Sequence, residues 1–541
     1  MIIYQILKYL IITILIIKSY YYLLTIYQQE HYDSNKLIKN TNSYYKKIYM
    51  CFNYIIIIIS LFTKWYLHLL ILFFGTLSLF IKNNFIIKLK ITSRIKRLII
   101  TNILLITILI IPTYIFIPKL LLFTYSLITI IAPFILIISN FLNKPVEKII
   151  SKYYLKKAKI KLNNNQNIIK IALTGSFGKT STKNILNRIL SENYYTLATP
   201  KSYNTLQGIS KTINDSLNNN IEIFICEMGA FRKNEIKEMT KYINPHISII
   251  TEIGPQHLDT FNNINNIINA KFEIIDNANK DTIGILNFDN EYIKERKISS
   301  IQNIYTIGIT NKNTMFYANN INIKNNNNQI TTTFDIINTF TNETLHIDTL
   351  LLGYHNIYNI LIAYATIQAL KKHQINISNE TFTETIYNME SIPHRLSKSK
   401  LDNIYIFDDS YNSNIKGFIN AIEIIYKMNT KKIIITPGIV DLKDKTLEYN
   451  ELIATKLLNF DEIYLIDNYS SRYIKKKLEE LNYHNVYTYN TYQQAYNEVL
   501  KKYHKKDFEV SLLIENDLPD NYLERKKNDK RKIKNRDNIW R

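Results

Sequence analysis

Hydrophobic positions along this chain fall into two textures, and the change comes near residue 145. Before it, apolar residues run on without charge for about 18 positions or more, the length a helix needs to cross about 30 Å of hydrocarbon. The runs 98–118 and 120–143 satisfy this outright, parted only by Lys119 beside Pro118, and predict two spanning helices joined by a tight hairpin. Weaker runs at 2–27, interrupted by Lys8 and Lys18, and at 65–81, bounded by Lys64, bring the expected number of spans to four. No small-residue cleavage site follows Ile17 and further apolar runs come after it, so the first run reads as a span and not as a removable signal.

After a polar stretch at 163–167, short β-branched runs at 168–173, 221–226 and 247–251 alternate with helical periodicity, the pattern of a parallel sheet in an α/β domain. The Asn-rich stretch 310–341 predicts exposed hairpins, and a second α/β series begins at 404–407 and continues through 432–436 and 462–466. The expected organisation is a membrane region over 1–145, a basic linker over 146–167, α/β domains over 168–396 and 397–522, and a basic tail over 523–541. At about 150 residues per domain, a chain of 541 has room for three or four such units.

Composition narrows the reading. Hydrophobic residues at 46% and charged residues at 21% exclude a disordered or fibrous chain. The two cysteines, Cys51 and Cys226, cannot build a disulfide scaffold or a multi-thiolate zinc site, and a reducing compartment is expected for the α/β part. The net charge of +22 raises nucleic acid as a partner, but its placement argues otherwise. Six Lys or Arg lie at 82–97 and seven at 144–161, flanking the spans, and nine more lie at 525–541. Basic flanks face the cytoplasm, which puts both termini inside and leaves the first loop, with Lys36, Lys39, Lys46 and Lys47, outside against the trend. The charge suits an anionic membrane surface, and no nucleic-acid recognition motif accompanies it.

Glycine supplies only 11 residues, so its positions point to places where the backbone needs positive φ or close approach to a ligand. Two of them fall in Thr174-Gly175-Ser176-Phe177-Gly178-Lys179-Thr180-Ser181, between an apolar strand and a helix. That arrangement predicts a phosphate-binding loop. Backbone amides and the helix N-terminus take phosphate oxygens, Lys179 reaches the terminal phosphates, and the Thr180 hydroxyl ligates magnesium. Leu173 stands where the general pattern has its first glycine, so this is a variant of the motif.

The variant Thr-Gly-Ser-x-Gly-Lys-Thr resembles the loop of the Mur ligase family, ATP-dependent enzymes that join a carboxylate to an amine in peptidoglycan synthesis. The resemblance continues through Glu227-Met228-Gly229-Ala230, Ile253-Gly254-Pro255-Gln256-His257-Leu258 and Ala270-Lys271-Phe272-Glu273. It then takes in Gly353-Tyr354-His355-Asn356 with Asn359, Arg395 after Pro393-His394, and Asp408-Asp409-Ser410-Tyr411-Asn412-Ser413-Asn414. With Glu515-Asn516-Asp517-Leu518-Pro519-Asp520, the last of these looks most like the branch that adds D-alanyl-D-alanine.

The resemblance implies a P-loop central domain and a Rossmann-like C-terminal domain, with ATP and Mg2+ as cofactors. It implies Lys179, His257 and Lys271 as catalytic groups, and Thr180, Glu227, His257 and Lys271 around the metal, Lys271 being carbamylated. Asp409 would accept the ribose hydroxyls, Arg395 would contact the nucleotide phosphates, and Asn356 and Asn359 would lie on the adenine side. Glu273 reads as helix surface or as support behind the site, and the run Ser202-Tyr203-Asn204-Thr205 with Gly208 resembles the family's substrate loop.

The chain departs from that family at its beginning, where membrane spans occupy the place of the domain that binds the uridine nucleotide. A peptidoglycan precursor is therefore expected in soluble or lipid-linked form, with D-alanyl-D-alanine or another amino compound as the second substrate. The expected location is the cell membrane, multi-pass, with the catalytic domains cytoplasmic. Two alternatives stand beside this: the same chemistry on another acceptor, such as an amino-acid or poly-glutamate ligase, and a membrane scaffold with a non-catalytic nucleotide-binding fold.

Overall fold

The computed structural model describes residues 2–30, 32–45, 54–55, 58, 73, 76, 89–200, 203–255, 258–326, 329–410, 415–440 and 445–516. Several expected features lie outside the described residues: His257 and Gln256, Ser202, residues 411–414, 517–520 and the basic tail, and all of the span at 65–81 except Phe73 and Thr76. The chain falls into two compact units, Met1–Tyr153 and Tyr154–Arg541.

The first unit is helical. It contains α1 (Ile2–Gln29), α2 (Ser34–Tyr45), α3 (Ser93–Phe116), a 3-10 turn at Pro118–Leu120 and the start of α4 (Leu121–Asn164). Among the described residues, three helical stretches are long and apolar enough to cross a membrane: Tyr9–Gln29, Ser93–Phe116 and Pro118–Asn164, with mean hydropathy 1.7, 2.4 and 2.5. Leu15, Tyr22, Tyr27, Leu98, Ile128 and Leu136 form the core of this unit. On α3, by contrast, Ile100, Ile103, Leu104, Ile108 and Ile115 are exposed, a face that water would penalise and hydrocarbon would accept. Polar groups in this unit pair with one another: Arg97 binds Glu147 through two hydrogen bonds of 2.7 and 2.8 Å, and Asn143 donates to Thr101 at 3.0 Å.

The stretch 146–167, expected as a linker, is helical as far as Asn164. The reason is amphipathic packing. Ala158 and Leu162 lie in the same core as Ile213, Phe224 and Met239. Tyr242 donates to the Leu155 carbonyl at 2.6 Å, and Lys161 donates to the Asn214 carbonyl at 3.0 Å. Its basic residues are therefore the polar face of a packed helix.

The second unit is built on two sheets. The first contains β1 (Ile169–Thr174), β2 (Thr196–Ala198), β3 (Ile223–Glu227), β4 (Ile247–Ile250), β5 (Ile283–Asn287), β6 (Asn303–Gly308), β7 (Phe316–Asn326), β8 (Gln329–Asn338) and β9 (Glu343–Thr349). Its order is β2-β3-β1-β4-β5-β6-β7-β8-β9, parallel from β2 to β7 and antiparallel through the β7–β8–β9 hairpins. Alternation along β1 sends Ile171 and Leu173 to one core and Ala172 to the other, so the sheet is covered on both faces.

The second sheet contains β10 (Ser397–Leu401), β11 (Ile404–Asp409), β12 (Lys431–Thr436), β13 (Glu462–Ile466), β14 (Val486–Tyr489) and β15 (Val510–Glu515). Its order is β10-β11-β15-β12-β13-β14, parallel apart from β10. In the first sheet β1 lies between β3 and β4, so the chain leaves it toward one side and returns to the other. The carboxyl end of β1 is thus a topological switch point, where open α/β sheets form a crevice.

Candidate active site

The loop 175–178 leaves β1 at that crevice and enters α5 (Lys179–Leu190). Its glycines are required by geometry. A Cβ on Gly175 would sit 2.0 Å from the Thr251 hydroxyl, and Gly178 holds a φ of +79° where it caps α5. The loop is tied to the strand ends on either side. Ser176 donates its N–H to the Glu252 carbonyl at 2.6 Å and its hydroxyl to the Gly254 carbonyl at 2.9 Å. Thr174 donates its hydroxyl to the Met228 carbonyl at 2.8 Å, and Thr251 donates to the Phe177 carbonyl at 2.5 Å.

Lys179 is half-buried, and its ammonium donates to the carbonyls of Gly175 and Ser176 at 2.7 and 2.9 Å. Burial, opposed by Glu227 and reinforced by Arg395, lowers its pKa to about 8. Glu227 ends β3 with 2% exposure, and three side chains converge on its carboxylate. The Thr180 hydroxyl donates to Oε2 at 3.1 Å, the Lys183 ammonium to the same oxygen at 3.0 Å, and the Asn204 amide to Oε1 at 3.3 Å. Lys271, on α6 (Ile264–Asp276), is 3% exposed. Burial first, and the charge of Lys179 second, lower its pKa to about 7.

The structure therefore brings Lys179, Thr180, Glu227 and Lys271 together as expected neighbours. Glu273, two residues on, is not helix surface. It is buried, and it accepts the N–H groups of Asn234 and Lys237 at 2.7 and 3.0 Å, capping the helix Glu235–Ile243, whose N-terminal amides otherwise lack partners.

Asn356 and Asn359 lie on α7 (Tyr354–Leu370). Asn359 accepts from the Thr182 hydroxyl at 2.9 Å and donates to Asn356 at 3.2 Å, so it braces the first turn of α5. Asn356, Ser181, Asn184, Arg188, Asn388 and Arg395 line a cavity of about 420 Å³ beside the same turn. His355, half-buried next to Asn356, has its pKa lowered to about 4 by loss of water and by the charge of Arg395.

Asp409 ends β11 on the second sheet and accepts the Leu396 N–H at 3.1 Å; it is not among the residues lining that cavity. Burial raises its pKa to about 7, against the pull of the Leu396 N–H and Arg395. A carboxyl group raised from 3.8 in this way binds more protons folded than unfolded between pH 4 and 7, so its contribution to stability is present at low pH and lost as pH rises. Asp409→Asn is expected to melt progressively higher than the parent as pH is raised from 4 to 8. A melting difference that stays constant across that range would show that Asp409 is not the titrating group.

The residues present suit a magnesium ion. Thr180 and Glu227 supply hard oxygen donors 3.1 Å apart, and Mg2+ is commonly held by one or two protein oxygens with the rest from phosphate and water. Among the described residues no three His, Cys, Asp or Glu side chains gather as a cluster, so no protein-only cage competes with that arrangement there.

Two groups escaped the sequence reading. Lys183 and Thr251 belong to no motif quoted above, yet one binds Glu227 and the other forbids any side chain at Gly175. Lys183 had a visible trace: it lies four residues after Lys179, one helical turn, on the face that continues through Leu186 and Leu190 into the core.

Comparison with known proteins follows the same outline. Residues 173–367 match the family described as the Mur ligase middle domain. The chain is 31% identical over 304 residues to a UDP-N-acetylmuramoyl-tripeptide--D-alanyl-D-alanine ligase of Buchnera aphidicola subsp. Baizongia pistaciae, covering 56% of this chain and 63% of that one. It is 26% identical to the enzyme of the same name from Escherichia coli K12, over 50% of this chain and 58% of that one. The chain thus spans just under two thirds of the length of these curated relatives.

Among solved structures, MurF from Acinetobacter baumannii matches with a TM-score of 0.59 at 21% identity, covering 68% of this chain and 77% of that one. The MurF ligase from Thermotoga maritima in complex with ADP matches with a TM-score of 0.57 at 19% identity, over 68% and 80%. Residues 173–367 therefore match a Mur ligase middle domain, set in an α/β fold shared with solved MurF ligases.

Proposed function

We propose that this protein is an ATP- and Mg2+-dependent amide ligase of peptidoglycan precursor synthesis. It would join the carboxylate of a muramoyl tripeptide to the amine of D-alanyl-D-alanine. The observation that carries this reading is the group formed by half-buried Lys179 and Thr180 with buried Glu227 and Lys271 around the loop at the end of β1. Similarity to the D-alanyl-D-alanine ligases supports the choice of substrates.

In this reading a carboxylate oxygen of the acceptor attacks the γ-phosphorus, the bond to the β-phosphate oxygen breaks, and ADP leaves. The amine lone pair then attacks the acyl carbon and phosphate departs with the bonding electrons, the amine proton passing to base. Lys179 and the loop amides would hold the terminal phosphates, and Thr180 and Glu227 would hold a magnesium ion, which when bound would supply charge neutralisation at the phosphates. Lys271 suits carbamylation, because an amine whose pKa is lowered to about 7 is about half unprotonated at neutral pH, where an ordinary lysine is almost wholly charged, and the neutral amine can add CO2 to become an anionic ligand. Asn356, Ser181 and Arg395 offer the nucleotide a wall beside the loop, and Asp409, at the end of β11 outside that cavity, would accept the ribose hydroxyls.

The exposed apolar face of α3 and the length of three helical stretches support a multi-pass membrane location. Basic flanks support a cytoplasmic active site. A membrane lipid is then a standing partner, and the precursor is UDP-linked or lipid-linked.

The test is phosphate release by the detergent-purified full chain with ATP, Mg2+ and D-alanyl-D-alanine, with UDP-muramoyl tripeptide and its lipid-linked form offered in parallel. Amine-dependent turnover with either precursor is the expected result, and turnover with the lipid form alone would make the helices part of the substrate site. Silence with both would overturn the peptidoglycan assignment.

A further inference from the structure

Lys183 is 1% exposed, and its side-chain partner Glu227 is 2% exposed. A lysine on the core-facing side of α5 is an unfavourable choice by burial alone, because both charges lose their water. Two well-packed apolar residues of the same volume would be as stable or more so, so stability does not account for the pair. What the pair does is geometric. Lys183 and Thr180 both donate to Oε2 of Glu227, from positions three residues apart on α5, while Asn204 approaches Oε1 from the opposite side. The Glu227 backbone is held as well, its N–H donating to the Thr199 hydroxyl at 3.1 Å. With three donors at fixed positions, the plane of the carboxylate and its rotamer are set before any ligand arrives.

We propose that Lys183 is a positioning residue for the divalent cation of the bound nucleotide: its ammonium locks the Glu227 carboxylate in the orientation that, together with the Thr180 hydroxyl, presents oxygen to the metal. This rests on the reading of Thr180 and Glu227 as the magnesium donors. Partners that orient a ligand from behind govern metal affinity by about tenfold to a hundredfold. Lys183 does not touch the nucleotide in this account. Its effect falls on metal affinity and, once the metal is saturating, only weakly on the chemical step.

The test uses the detergent-purified full chain and two readouts. The first is Mn2+ binding in the presence of ADP, followed by the electron paramagnetic resonance of the free ion, which needs no turnover. The second is the Mg2+ concentration at half-maximal ATP turnover. Lys183→Met is expected to weaken Mn2+ binding about tenfold or more and to raise the half-saturating Mg2+ by a similar factor, with kcat at saturating metal within about threefold of the parent. Lys183→Arg, which keeps the charge, is expected to recover most of the loss. An unchanged Mn2+ affinity in a Lys183→Met protein that melts cooperatively would overturn the proposal, and so would an arginine variant no better than the methionine one. If Lys183→Met does not fold, Lys183→Gln carries the same test, and an unchanged Mn2+ affinity there is equally fatal. A parent that binds Mn2+ with ADP but turns over neither precursor would sink the ligase reading and leave the Lys183 comparison intact. A parent that binds no Mn2+ with ADP would sink both.

Discussion

Replacing Lys179 by methionine is expected to lower ATP turnover by about a hundredfold to a thousandfold, the size of effect seen when one preorganised donor to transition-state charge is removed. The fold should survive. Lys179 is half-buried, its pKa is lowered to about 8, and its ammonium donates to carbonyls of the same loop, at Gly175 and Ser176. Methionine fills the same volume and carries no charge to desolvate. The measurement is phosphate release beside a thermal melt of the same preparation. Turnover within tenfold of the parent would remove Lys179 from the phosphates. A collapsed melt would recast it as a structural residue. The same substitution separates the enzyme from a non-catalytic scaffold, because a scaffold would keep its cellular role without this group.

The second large effect concerns Glu227. Glu227→Ala takes from the Lys183 ammonium, at 2% side-chain exposure, the carboxylate it pairs with, and removing one partner of a buried ion pair costs about 3 to 5 kcal/mol. Activity is lost along with stability, since the same carboxylate is a proposed magnesium donor. The informative comparison is the double variant Glu227→Met, Lys183→Met. Removing both charges together is expected to restore melting to near the parent value while leaving the protein inactive. Thermal melting of the parent, the two single variants and the double variant reads this directly. A double variant as unstable as Glu227→Ala would mean that packing around β3, not charge, sets the cost.

The lowered pKa of Lys271 and the raised pKa of Asp409 have the same first cause, loss of water around the charged form, although their charged neighbours differ. Burial pushes a lysine toward its neutral amine and a carboxyl toward its neutral acid, so each is held near the point where a ligand or a partner charge can decide its state. For Lys271 that favours reaction with CO2. For Asp409, the charge of Arg395 and the Leu396 N–H pull toward the carboxylate, against the loss of water. The second sheet meets the first through Lys416, 3.8 Å from Glu252 beside the loop, and through Asn420, 3.3 Å from His355 at the start of α7. These contacts connect the loop's surroundings to the element that follows Asp409.

Much of this was written in local pattern. Uncharged runs long enough to cross hydrocarbon mark the helices Ser93–Phe116 and Leu121–Asn164 without reference to any neighbour. β-branched runs of four to six residues mark β1, β3 and β4, because a strand buried on both faces needs no alternation to be recognised. The loop 174–181 is legible because phosphate binding demands glycine, lysine and a hydroxyl at short, fixed spacing along the chain.

What tertiary structure alone decided depends on which distant atoms meet. The helix continues to Asn164 because Ala158 and Leu162 find a core to enter, and a basic sequence by itself does not say that such a core is waiting. Glu273 looks like a surface glutamate until the first turn of the helix Glu235–Ile243 is brought over it with two free amides. Lys183 is one lysine among many in a lysine-rich chain, and only the end of β3, 44 residues further on, supplies the carboxylate that explains its burial. Spacing records interactions within a turn or a loop. The partners of a buried charge are fixed by the sheet order, which places β3 beside β1 and so sets Glu227 against the first turns of α5.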